Sequence, residues 1–121
     1  MFTMVYMLQT SYRIQSADRD VAELLNPQMQ YSISYSDDSE RHGVSVCDSI
    51  EDLAGYIAQT GIPFDTDYVV VEVAGESSDE VDEDAHLGAR LVLPTEIISV
   101  EPITDRLLDM IDAAYDQALA A

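Results

Sequence analysis

Apolar and polar residues along this chain change their period several times, and each change marks an element. Residues 2–14 are rich in Val, Tyr, Met and Thr and predict a first strand. Asp18 to Leu25 reads as a short helix, capped by Ser16 or Asp18. It ends at Asn26-Pro27, because the residue before a proline avoids the helical region. Tyr31-Ser32-Ile33-Ser34-Tyr35 alternates with period two, as a half-buried strand does. Ser36 to His42 is polar and turn-like, and Gly43-Val44-Ser45-Val46-Cys47 predicts a returning strand.

The period then lengthens. Ser49-Ile50-Glu51-Asp52 has the form of a capping box, and Ile50, Leu53, Ala54 and Ile57 follow at helical spacing until Gly61 and Pro63. Tyr68 to Ala74 is a valine run around Glu72 and predicts a central strand. Six acids in the nine residues 76–84 predict a solvated loop. Arg90 to Leu93 and Ile97 to Val100 read as short strands parted by Pro94, and a helix from Thr104 to Leu119 closes the chain. In that helix Leu107, Leu108, Ile111, Tyr115 and Ala118 form the side expected to pack on the sheet. The order βαββαβββα predicts an α+β fold: one acidic domain over 1–121, with a largely antiparallel sheet, two short helices and a longer amphipathic C-terminal helix.

Composition sharpens this picture. Hydrophobic residues make up 47%, enough for a packed core, so the acidity is not that of a disordered tail. The chain has no lysine; Arg13, Arg19, Arg41, Arg90 and Arg106 face 24 Asp and Glu, for a net charge of −19. Such an excess repels anionic lipid and nucleic acid, which argues against direct binding to either. Cys47 stands alone, so no internal disulfide forms, and no apolar run is long enough to span a bilayer. The expectation is a cytoplasmic protein.

Motifs for metal or cofactor chemistry are weak. His42, His86 and Cys47 have no metal-ligand spacing, and the 76–84 loop fails the EF-hand pattern from either Asp79 or Asp82. Neither a metal nor a cofactor is expected. The stronger signal is charge placement. Asp105, Asp109, Asp112 and Asp116 fall within a sector of roughly 60° on the last helix and repeat along about 16 Å. Together with Asp79, Glu80, Asp82, Glu83 and Asp84 they form the candidate partner-binding set, suited to a basic surface of a nucleic-acid-handling protein. In size and charge the chain is similar to anti-restriction, anti-CRISPR and nuclease-immunity proteins that act as nucleic-acid-mimicking inhibitors. A salt-filled cytoplasm, as in a halophile, favours the same loss of lysine and excess of aspartate, and is the alternative reading of the charge.

The middle of the chain points elsewhere. Gly43-Val44-Ser45-Val46-Cys47-Asp48-Ser49, a helix with Tyr56, Val69–Val73, and then Pro94-Thr95-Glu96 resemble the layout of ADP-ribosyltransferase folds over residues 43–100. The resemblance implies a nicotinamide-side role for Ser45 or Ser49 and a catalytic role for Glu96, with Arg13 the candidate for the family's early Arg or His. It also implies an anionic dinucleotide, which needs local positive charge that this composition scarcely provides.

Overall fold

The computed structural model describes residues 10–33, 40–61 and 67–120, apart from the side chains of Ile33, Ala118 and Ala120. The expectations for residues 2–9, for 34–39, for Pro63 and for the packing of Ala118 lie outside the described residues. Along the rest run β1 (Thr10–Ser16), β2 (Tyr31–Ile33), β3 (Glu40–His42), β4 (Val44–Cys47), α1 (Ile50–Thr60), β5 (Tyr68–Ser77), β6 (Ala89–Pro102) and α2 (Asp105–Ala120). The fold is α+β, its strand pairs antiparallel.

The main sheet closes on itself in the order β1-β4-β6-β5, and β2 and β3 form a separate two-stranded ribbon. Closure is uneven. β1 pairs with β5 along its whole length, from Thr10 opposite Ala74 to Ser16 opposite Tyr68, yet it meets β4 at one position, Tyr12 opposite Cys47. Beyond that bridge the two strands part.

Alternation of side chains gives the four strands two apolar faces. On one face Cys47 and Val70, with the half-buried Tyr12 and Ile14, pack under Leu53, Ala54 and Ile57 of α1 and Leu107 and Ile111 of α2. On the other, Val44, Val46, Val71, Val73 and Val92 close around Leu24. Most of these side chains are Val, Ile or Leu, and burying each contributes about 1.5–3 kcal/mol.

Helix ends follow local chemistry. Ser49 accepts the Asp52 N–H at 3.0 Å and starts α1, and Gly61 at φ 68° ends it in the left-handed conformation. Thr104 Oγ1 accepts the Leu107 N–H at 3.1 Å at the start of α2.

Four expectations are corrected. The segment after β1 forms 3₁₀ turns at Val21–Leu25 and Pro27–Met29, with Asp20 as cap in place of Ser16 or Asp18. Residues 40–42 of the supposed turn are a strand. Pro94 does not break β6, because it lies at an irregularity of the ladder opposite Gly75, where no N–H is needed. There the Leu93 carbonyl approaches so closely that a Cβ on Gly75 would lie 2.3 Å from its oxygen. Finally, α2 packs chiefly against α1, so Leu108 and Tyr115 are exposed instead of lying on the sheet.

Candidate functional site

Where β1 and β4 part, the molecule has a cleft of about 460 Å³. Register explains why it opens. After Tyr12 opposite Cys47, the ladder would continue with Arg13 opposite Val46 and Ile14 opposite Ser45, but it is not formed. The Ser45 carbonyl is met instead by the Arg13 guanidinium, with Nη1 at 3.2 Å, while Arg13 Nε donates to Gln15 Oε1 at 3.1 Å. A side chain thus takes over a strand-pairing group, and the backbone edges beyond it face an open space.

Asp82, Glu83 and Asp84 form part of its lining, and here the solvated loop expected over 76–84 needs correction. Asp79 and Glu80 are exposed, but Asp82 is only 7% exposed, and Glu83 and Asp84 are half-buried. The Ser45 hydroxyl donates to Asp82 Oδ2 at 2.6 Å, and the Asp84 N–H donates to Asp82 Oδ1 at 2.8 Å. The Tyr56 hydroxyl donates to Asp84 Oδ2 at 3.0 Å. A buried carboxylate is tolerated because both its oxygens are engaged. These acids therefore tie strand, helix and loop together.

The protonation state of the wall follows from this. Burial, then the charge and hydrogen bond of Asp84, then the charge of Asp82 push the Tyr56 hydroxyl well above its ordinary value; Ser45 pulls slightly the other way. Tyr56 stays a proton donor. Burial followed by the charges of Asp52, Asp82 and Asp48 pushes the Cys47 thiol up to about 12, so no thiolate nucleophile forms at neutral pH.

Cationic side chains line the same cleft. Arg13, Arg19 and Arg41, three of the five arginines in the sequence, line the cleft. Arg41 is anchored by Nη1 donating to the Val81 carbonyl at 2.7 Å, and Arg19 lies 3.8 Å from the Glu23 carboxylate on the surface. Tyr31 sits at the rim, its ring 5.2 Å from that of His42. The lining thus balances three arginines against Asp82, Glu83 and Asp84, within a chain whose net charge is −19.

The structure separates the sequence candidates. Ser45 lines the cleft beside Arg13, whereas Ser49 caps α1. Glu96 is exposed on β6 opposite Ala74 and is not part of the cleft. Asp105, Asp109, Asp112 and Asp116 are all exposed on α2, apart from the cleft, and among the described residues none lies within ion-pair distance of a cation. The two acidic sets joined in the sequence reading are therefore different in kind. Among the described residues no group of three or more His, Cys, Asp and Glu is arranged to hold a metal ion, and no helix is long and apolar enough to cross a membrane.

Arg19, Arg41 and the hydroxyl-acceptor roles of Asp82 and Asp84 were not foreseen. Positions 13, 19 and 41 look scattered along the chain, and only the tertiary fold gathers them at one cleft. No protein-family model, curated protein or solved structure matches the chain.

Proposed function

We propose that the β1–β4 cleft binds an anionic dinucleotide of the nicotinamide type, and that the protein is an ADP-ribosyltransferase-like enzyme. One observation carries this reading. The Arg13 guanidinium donates to the Ser45 backbone carbonyl at 3.2 Å in a cleft that Ser45 also lines and that gathers Arg19 and Arg41 as well. The scarce positive charge of the chain is concentrated here, with three of its five arginines lining one cavity and offsetting Asp82, Glu83 and Asp84. A volume of about 460 Å³ lies within the roughly 300–1,000 Å³ usual for small-molecule sites.

In this reading the guanidinium groups of Arg19 and Arg41 face the diphosphate, where planar donors bind best. The transfer breaks the bond between the ribose C1′ and nicotinamide, which leaves with the electron pair. An acceptor nucleophile then bonds to C1′ and gives up its proton. Positive charge develops on the ribose meanwhile, and carboxylates of the 82–84 segment line the cavity in which it would form. Glu96 has no part in it.

Calorimetric titration with NAD+ tests the reading. Saturable binding is expected, weakened at least about tenfold by Arg19→Ala combined with Arg41→Ala, since a charge-assisted hydrogen bond contributes about 1.5–3 kcal/mol. Glu96→Gln should bind as the parent does. Absence of saturable binding at millimolar NAD+, or equal binding by the double variant, rejects the proposal.

A second reading is favoured by the four exposed α2 aspartates: an inhibitor whose anionic face occupies a basic nucleic-acid-binding surface. It predicts competition with nucleic acid for such a partner, falling steeply with salt. Replacement of the four aspartates by Asn should abolish that competition and leave NAD+ binding intact.

A further inference from the structure

Beyond the cleft, the least explained surface is the outer side of α2. Its inner line, Leu107 and Ile111, is buried against α1. Turned roughly 80° from it is a second apolar line: Leu108, Tyr115 and Leu119. These are 37%, 52% and 70% exposed. They span about 16 Å, some three helical turns. Asp105, Asp109, Asp112 and Asp116 run beside them, a further 70° or so around the helix. Single exposed apolar residues are ordinary, but three in line on one helix, with a tyrosine at their centre, have the make-up of a contact surface.

We propose that this seam docks a basic amphipathic helix of a protein partner. The apolar line sets the shape of the occupant, since a helix laid in a groove presents side chains at i, i+4 and i+7. The neighbouring carboxylates set its charge. Lysine is absent from the chain, and Arg106 lies on another side of α2, so a cationic partner surface is the one that complements these carboxylates. A second copy of the protein does not fit, because it brings four more aspartates to a seam with no cation of its own. A nucleic-acid strand is repelled and has no apolar edge to offer. The inference does not depend on the cleft. It narrows the inhibitor reading by requiring an apolar as well as a cationic partner surface.

The test uses a labelled peptide of ~18 residues, long enough to hold a helix, with leucines at i, i+4 and i+7 and lysines on the flank. Its control has the same composition in scrambled order. Anisotropy at about 0.1 M salt should show binding of the amphipathic peptide and at least tenfold weaker binding of the scrambled one. Leu108→Ser with Tyr115→Ser should lose tenfold or more, and Asp109→Asn with Asp112→Asn and Asp116→Asn should chiefly slow association. Circular dichroism confirms that α2 remains; if the double variant loses helix, Tyr115→Ser alone gives the same comparison. Equal binding of both peptides means charge alone acts, and overturns the proposal. So does a failure of the amphipathic peptide to bind. Concentration-dependent dimerisation that disappears in Tyr115→Ser overturns it in favour of a second copy.

Discussion

Two acidic regions of the molecule carry similar residues and have opposite physical status. In the cleft wall, Asp82 and Asp84 accept hydroxyl protons from Ser45 and Tyr56, and Asp82 is almost fully buried. Along α2, four aspartates stand exposed at helical spacing. The first set holds the fold together and shapes a cavity. The second set slightly opposes folding and is available to another molecule. A net charge of −19 is therefore a poor guide to either, because what a carboxylate does depends on its donors and its burial.

The largest contrast should appear on deletion. Asp82→Ala leaves the Ser45 hydroxyl and the Asp84 N–H without their acceptor inside the wall and should cost about 2–3 kcal/mol in urea denaturation. Asp82→Asn, which keeps an acceptor oxygen, should cost less. If Asp82→Ala melts like the parent, the wall is not held as described.

Alkaline pH should separate the regions next. Cys47, Tyr56 and Tyr12 all have raised values in the fold, so the folded protein keeps protons that the unfolded chain releases. Their stabilising contribution is whole below about pH 9, where the unfolded thiol begins to ionise. It falls as pH rises from 9.0 toward about 12 for Cys47, and from 10.0 upward for the tyrosines. Melting curves between pH 8 and pH 11 should show this loss, roughly, as the linkage requires. Tyr56→Phe should flatten the slope while lowering stability at pH 8, because the Asp84 bond is gone. A slope unchanged by Tyr56→Phe contradicts the burial assigned to that hydroxyl.

The smallest effect belongs to α2. Asp109→Asn with Asp112→Asn and Asp116→Asn removes the like-charge pairs and should stabilise the domain by about 0.5–1 kcal/mol at low ionic strength. Asp105 is kept because it lies in the first turn, where a negative charge favours the helix. The gain should vanish near 1 M salt. If the parent protein folds only in molar salt, the charge belongs to halophilic adaptation and the contrast between the regions loses its meaning.

Much of the fold was legible in the chain, and the reasons are local. The Ser49 cap, the 50–57 periodicity and Gly61 define α1 because caps and amphipathic spacing act within a few residues. The valine run defines β5 because a strand flanked by packed layers is apolar on both faces. What stayed hidden depended on distant partners. Pro94 reads as a breaker until Gly75 is placed opposite it. Leu108 and Tyr115 read as core until α2 is seen to rest on α1. Of the cleft lining, Ser45 and Arg13 were among the residues singled out in the sequence, whereas Glu96 lies outside it. The burial of Asp82 within an acid-rich run has no local signal, since its donor, Ser45, comes from β4.

The proposed dinucleotide would enter the cleft and leave the acidic helix untouched. Backbone amide NMR spectra recorded during titration with NAD+ test this proposal most directly. Saturable shifts are expected at Arg13–Ser16, Ser45–Cys47 and Asp82–Asp84, with the signals of Asp105–Asp116 unmoved. Shifts confined to α2, or none at millimolar NAD+, would contradict the proposal.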